Sequence, residues 1–528
     1  MSLIKVEDLE DYVKRAIDSG LLDRQFDMLP RGQTSPSEYG MLPQNKPKNR
    51  YGNLIAYDAN RVILEKLPDD PYSDYINATY IKGCKEKFYI ATQGPKPNTV
   101  IDFWRMIWQK ESYIICMVTN LSEEGKIQHL HYTTWPDHDI PSSTHSMVTY
   151  LKKLLITPPG NGPVVVHCSA GVGRTGIVIL CDICLRRASA EGSVDVFAEM
   201  KALRSQRPNM VNNKQQYLFA HLVLVECLLC SSTSLPCDES LPLKIKKVKE
   251  QLVTQRDSLE KMAWHDKVLR SPVNQTLLSE RNLAKRRFPE LLPAKDNRVY
   301  LKRYPPTDEN SDYISAVYVD GVRLQNQYIA TQLPLPGTFS DFWRMVAEYK
   351  VELIIMLQSP DLEDTTCCPI VRNGEFKPVP YINIRTKQLD EFEHYILQKL
   401  TLVDNSEKPA IEQEITILCS TEWQPGRNRD PPETIALVTL WQAVQKMLKG
   451  DGPIAVLCHD GVTGCGLYLA LSFLLERMTI EKECDVCLAI RAIGTLNPDF
   501  IKSSEHMKYL YDAATVYLKY LETYAKRE

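Results

Sequence analysis

The run Val164-Val-Val-His-Cys-Ser-Ala-Gly-Val-Gly-Arg-Thr-Gly176 changes character twice within thirteen residues. Its β-branched opening reads as a buried strand, its glycines as a tight turn, and the apolar pattern from Arg174 to Glu191 as a helix. A thiol, Cys168, closes the strand above the N–H groups of Ser169, Ala170, Gly171, Val172 and Gly173. Such a turn is a nest for an anion, and the helix behind it adds the positive end of its dipole. Arg174, six residues after the thiol, can grip two phosphate oxygens with its planar fork, which a lysine cannot do. The same field favours thiolate, drawing a cysteine from about 8.5 into the range of roughly 3.5 to 7.5. A cysteine in a buried strand is often only a small hydrophobe. Here the glycines and the arginine at cradle spacing point instead to a nucleophile that attacks phosphorus.

Such a nucleophile needs an acid for the leaving oxygen, and Trp135-Pro-Asp137 supplies a carboxyl on a turn-forming segment upstream. Asp137 would protonate the departing oxygen and then act as base on the water that hydrolyses the phosphocysteine. His167 is placed to orient and support the thiolate, and Thr175 to donate a hydrogen bond to the sulfur as it leaves.

Composition limits the alternatives. The 528 residues form a prior for two to four domains, with 44% apolar and 24% charged residues as in ordinary folded chains. The 63 basic and 66 acidic residues leave a net charge of −3, which gives no bulk drive toward nucleic acid or an anionic membrane. No apolar run is long enough to span a bilayer, and the first residues lack the basic head and apolar stretch of a secretory signal. A cytoplasmic location follows as the expectation, and fifteen dilute cysteines suit a reducing compartment. The pairs Cys181/Cys184, Cys227/Cys230 and Cys484/Cys487 sit in helical apolar patterns without partners at zinc spacing, and are read as core residues rather than metal ligands.

The chain also repeats itself. Asp74-Tyr-Ile-Asn-Ala-Thr-Tyr-Ile returns as Asp312-Tyr-Ile-Ser-Ala-Val-Tyr-Val, Tyr89-Ile-Ala-Thr-Gln as Tyr328-Ile-Ala-Thr-Gln, and Asp102-Phe-Trp-Arg-Met as Asp341-Phe-Trp-Arg-Met. Trp135 matches Trp423 and Cys168 matches Cys458. This is a duplicated domain, with copies expected at residues 1–235 and 245–528 around a break near Ser231-Ser-Thr-Ser-Leu-Pro-Cys-Asp238. Asp102 and Asp341 lie 239 positions apart but Trp135 and Trp423 lie 288 apart, so the first copy is 49 residues shorter between them. The shortfall falls near Glu124 to His131, where the second copy carries strand-like sequence such as Lys377 to Arg385. Strand runs alternate with helical ones in each copy, giving an α/β architecture.

The order Lys48-Asn-Arg-Tyr51, Trp135-Pro-Asp137 and His167-Cys-x5-Arg-Thr175 resembles the protein tyrosine phosphatase family, and the tandem layout resembles the intracellular half of its receptor-type members. The resemblance runs from about Asn45 to Tyr517. It implies two tandem copies of the cysteine phosphatase fold, each a twisted mixed β-sheet flanked by helices, with the first copy shortened by about fifty residues. It implies phosphotyrosine-containing proteins as substrates, no metal or organic cofactor, and a place as the cytoplasmic region of a single-pass membrane receptor. Tyr51 would stack on the substrate ring and set a deep pocket that leaves phosphoserine short of the thiolate. Gln216 would position the hydrolytic water. Asn53 stands where the family usually has an Asp that holds peptide backbone, Asn212 where it has a second glutamine, and Gln128 near the place of a lysine that contacts the acid loop.

The second copy has lost this set. Gly464 replaces Arg174, Trp423-Gln-Pro lacks the acid, Phe288 stands for Tyr51, and Asp460 puts a negative charge where an anion would enter. It is expected to be catalytically dead and to serve regulation or docking. The 49-residue shortfall supports a second reading of the first copy, as an impaired phosphotyrosine-binding scaffold with Asp137 out of place.

Overall fold

A computed structural model describes residues 3–84, 88–117, 128–132, 135, 140–141, 143–158, 160, 162–269, 279–291, 297–308, 311–406, 408–427, 429–448, 452–494, 500 and 504–525, with side chains up to 520. The chain forms two compact units, residues 1–231 with 264–269, and residues 232–263 with 270–528.

In the first unit the strands β1 (Arg61–Ile63), β2 (Tyr75–Lys82), β3 (Phe88–Gln93), β4 (Ile114–Met117), β5 (Gln128–His131) and β6 (Val164–Cys168) form one sheet in the order β1-β2-β3-β6-β4-β5. β1, β2 and β3 pair antiparallel, whereas β3, β6, β4 and β5 run parallel. β6 is therefore central, and its side chains alternate between two apolar layers. Val164, Val166 and Cys168 face the large core, and Val165 faces a smaller one with Ile90, Ile115, Phe103 and Met106.

The helix Gly173–Glu191 follows β6 directly and is buried on nearly every side, which its apolar residues permit all round. It packs with Lys214–Leu229, where Phe219, Leu222 and Val223 are fully buried. Each such side chain stabilises the unit by about 1.5 to 3 kcal/mol. The amphipathic stretch from Glu7 to Phe26 resolves into two helices, Leu9–Asp18 and Leu21–Asp27, because Gly20 takes a φ of +66° between them. Leu9, Val13, Ala16, Leu22 and Phe26 pack into the large core.

The second unit repeats the plan with more strands. Its β7 (Arg298–Tyr300), β8 (Tyr313–Val319), β9 (Tyr328–Gln332), β10 (Leu353–Met356), β11 (Glu375–Val379), β12 (Ile382–Glu391), β13 (Tyr395–Asp404), β14 (Ile411–Ser420) and β15 (Ile454–Cys458) are ordered β7-β8-β9-β15-β10-β14-β13-β12-β11. The shortfall now has a structural meaning. Ile114 pairs with Gln128 in β5, and Leu353 pairs with Thr416 in β14, both in parallel. β5 thus takes the sheet position of β14, and among the described residues the first copy has no counterparts of the antiparallel strands β11, β12 and β13 that extend the second sheet.

Candidate active site

The turn after β6 is held from below by backbone geometry that only glycine tolerates. Gly171 has a φ of +70°, and a Cβ there would collide with the carbonyl of Thr92. Its N–H donates to Cys168 Sγ at 3.2 Å. Gly176, one turn into the helix, lies against the backbone of Val211, whose N–H donates to Val172 O at 3.0 Å. Arg207 is fully buried, and its Nε donates to Gly171 O at 2.8 Å, its Nη1 to Thr79 Oγ1 at 2.8 Å and its Nη2 to Ala170 O at 3.4 Å. Burial pushes its guanidinium down to about 10, which still leaves it charged at neutral pH. Two turn carbonyls are thereby turned away from the space above Cys168.

The tyrosine loop is fixed by a second device. Gln93 at the end of β3 pairs with Cys168 across the sheet, while its Nε2 donates to Lys48 O at 2.8 Å and its Oε1 accepts from Arg50 N at 2.8 Å. Tyr51 is 43% exposed, and its hydroxyl lies 3.2 Å from Ser169 Oγ, so the ring borders the turn. Asn53 is exposed two residues further on.

Gln216 sits in the first turn of Lys214–Leu229, where Asn213 caps the helix by accepting from Gln216 N at 2.8 Å. Its side-chain amide lies against Gly173, 3.0 Å from where a Cβ would stand, and its Oε1 accepts from Asn212 N at 2.8 Å. Gln216 and Asn212 therefore come to the turn together. Arg174 is half-buried, its guanidinium carbon 5.6 Å from the centre of the Trp135 ring. Trp135 is buried and packs edge-on to Phe219 and Tyr132. Asp137, the expected acid, lies outside the described residues.

Thr175 is fully buried, and its hydroxyl finds no partner among the described residues. His167 is buried, and desolvation lowers its pKa to about 4, so the ring is uncharged at neutral pH. Its support of a thiolate is then by position and hydrogen bonding, not by charge. The N–H groups of Val172 and Gly173 have no protein acceptor among the described residues.

The equivalent turn of the second unit is filled from within. Cys168 and Cys458 are 290 positions apart, which places Asp460 at the position of Ala170 and Val462 and Thr463 at those of Val172 and Gly173. Asp460 Oδ1 accepts from Val462 N at 2.9 Å, from Thr463 N at 2.8 Å and from Cys458 Sγ at 3.2 Å, and Oδ2 accepts from Thr463 Oγ1 at 2.6 Å. The carboxylate occupies the nest as a resident anion. Burial, then the neighbouring Cys465 and Asp460, push the Cys458 thiol well above its ordinary range. At Gly464 a Cβ would stand 2.9 Å from Cys458 Cβ and 3.4 Å from the Trp423 ring, so the indole borders the space an arginine stem needs. Arg427 lies over the Phe288 ring at 4.4 Å.

Gln93 and Arg207 were not assigned roles by the sequence. The first had a signal, since Gln332 repeats it and bonds Lys285 O and Arg287 N in the same way. Arg207 had none, because its partners, two backbone carbonyls and the Thr79 hydroxyl, lie far away in the chain. The cysteine pairs Cys181/Cys184 and Cys484/Cys487 are buried in helix-packing cores, and Cys227 and Cys230 are half-buried.

Comparison with known proteins identifies the family. The family model described as protein-tyrosine phosphatase matches residues 45–128, 123–226 and 282–516, and the first copy is matched in two pieces that meet where its sheet is cut short. The chain belongs to the protein-tyrosine phosphatase family, with two tandem copies of its domain as in the receptor-type branch. It is 31% identical over 99% of its length to receptor-type tyrosine-protein phosphatase S of Gallus gallus, covering 38% of that protein. It is also 31% identical over 99% of its length to receptor-type tyrosine-protein phosphatase F of Danio rerio and of Homo sapiens, covering 30% of each. The chain thus spans about a third of the length of these relatives. Among the described residues, no helix is long and apolar enough to cross a membrane.

Proposed function

We propose that the first domain, residues 1–235, hydrolyses phosphotyrosine on proteins, and that the second, residues 245–528, is catalytically inert and serves regulation or docking. The observation that carries this reading is the contrast between the two turns. Among the described residues, the N–H pair at Val172 and Gly173 is without a protein acceptor where its counterpart is occupied by Asp460.

In the first step Cys168 Sγ attacks phosphorus, the bond from phosphorus to the phenolic oxygen breaks, and Asp137 gives that oxygen a proton. Arg174 and the turn amides hold the equatorial oxygens as charge builds on them. In the second step water, oriented by Gln216, attacks phosphorus while Asp137 takes its proton and the thiolate departs, accepting a hydrogen bond from Thr175. Neutral His167 keeps Cys168 in place, and Tyr51 stacks on the substrate ring. Substrates are phosphotyrosine-containing proteins, nucleic acid is no partner, and the chain works in the cytoplasm as part of a longer receptor-type protein.

Cys168→Ser in the full chain should abolish turnover of a phosphotyrosine peptide while leaving it bound, and Asp137→Ala should bind and turn over slowly, by roughly 10²- to 10⁴-fold. Unchanged turnover in Cys168→Ser rejects the mechanism, and equal rates on phosphoserine peptides reject the deep pocket. A second reading, an impaired phosphotyrosine-binding scaffold, is favoured by the absence, among the described residues of the first sheet, of counterparts to β11, β12 and β13. It is separated by the full chain's turnover of a small aryl phosphate, which a scaffold lacks and the enzyme retains.

A further inference from the structure

We propose that Asp364, Cys367 and His459 of the second unit form a binding site for a zinc-type divalent cation. One carboxylate oxygen, one thiol sulfur and one imidazole nitrogen from these residues lie within 4.8 Å of one another. Cys367 Sγ is 3.8 Å from Asp364 Oδ2. Bond lengths of about 2.0 to 2.3 Å around tetrahedral zinc place ligand atoms roughly 3.4 to 3.7 Å apart, so this pair is already near coordinating distance and the histidine has about an ångström to travel.

The third ligand carries the strongest sign. His459 is 7% exposed, and its Nδ1 is buried without a hydrogen-bond partner. A buried unpaired imidazole nitrogen is costly unless something completes it. Its backbone is fixed, since His459 N donates to Gln358 Oε1 at 2.9 Å. Asp364 is shaped for the task as well. Its Oδ1 accepts from Thr366 N and Thr366 Oγ1, each at 2.8 Å, which leaves Oδ2 turned to Cys367.

The donor set selects the ion. Sulfur, nitrogen and one carboxylate suit Zn²⁺, whereas Mg²⁺ and Ca²⁺ require oxygen. Three ligands leave a fourth corner for water. On binding, the Cys367 S–H bond breaks, its proton goes to solvent and a metal–sulfur bond forms. Arg287 opposes the ion, with Nη1 3.8 Å from Asp364 Oδ2, and weakens the site without blocking it. The metal would tie the loop between β10 and β11 to the turn after β15. Ser169 stands at the position of His459 in the first copy, so the site belongs to the second copy alone.

The test is titration of the full metal-free chain with Co²⁺, read by the near-ultraviolet band that only a cobalt–thiolate bond produces, followed by displacement with Zn²⁺. One equivalent should develop the band. Cys367→Ser should abolish it, His459→Ala and Asp364→Asn should each weaken Zn²⁺ binding at least about tenfold, and Arg287→Gln should tighten it. The thermal midpoint of each metal-free variant identifies any that fails to fold, and Cys367→Ala then stands in for Cys367→Ser. Cys168→Ser should leave the band intact. A band that never forms, that persists without Cys367, or that vanishes with Cys168 overturns the proposal.

Discussion

At the scale of single residues, the two turns differ by exchanges whose physical effects reinforce one another. The sequence exposed the loss of Arg174 as Gly464 and the gain of Asp460 for Ala170, because both lie within a few residues of the matching cysteines. Repulsion of an incoming anion was the expected effect of Asp460. The structure adds that the carboxylate satisfies the two turn amides itself, accepting from Val462 N and Thr463 N, and takes a third hydrogen bond from the Thr463 hydroxyl. Asp460→Ala should accordingly raise the affinity of the second unit for inorganic phosphate or vanadate by at least about tenfold, since a charge-assisted bond contributes about 1.5 to 3 kcal/mol. Turnover should stay absent, because Gly464 offers no guanidinium. Calorimetric titration of Arg174→Ala/Asp460→Ala against Arg174→Ala measures this with the first site's phosphate fork removed, and equal affinity would show that the carboxylate does not hold the nest. Arg207 and Gln93 were illegible or half-legible for one reason: they act on groups brought near only by folding.

Among elements, the described residues of the first sheet end at β5, where the second sheet continues. Gln128–His131 pairs with β4 on one side, whereas its counterpart β14 is flanked by β10 and β13. Edge amides open to solvent without breaking a second ladder. Hydrogen exchange should find β5 amides roughly tenfold or more faster than those of Ile415–Leu418, and comparable protection would mean that another segment covers this edge. The missing length was plain from the spacing of repeated motifs. Which strands it removed was not, since a strand's neighbour is chosen by register and burial across the sheet. The parallel pairing of Ile114 with Gln128 decided it, by keeping the apolar β4 between two partners despite the loss.

Across the whole molecule, stability should depend on pH through buried histidines. Desolvation lowers both His167 and His221 of the first unit to about 4 from an ordinary 6.5. A base whose folded pKa is depressed binds more protons when unfolded, so its contribution is complete above pH 6.5 and is lost as pH falls toward 4. Each histidine accounts for roughly 3 kcal/mol at most. The thermal midpoint of the first unit's transition should fall between pH 7 and pH 4.5, and His221→Gln should flatten that fall; an unaltered slope would place the titration elsewhere. Buried charge state is a property of the packed molecule, and the sequence shows only that a histidine is present. What the sequence determined by itself was the duplication, the shortfall and the spacing of thiol, glycines and arginine, because a strand, a turn and a helix start are set by neighbours a few residues apart. Only the tertiary structure decided that Arg207 and Gln93 brace the turn, that β5 replaces β14, and that Asp460 fills the second nest. Each of these joins groups distant in the chain, whose meeting depends on sheet register and the packing of the core.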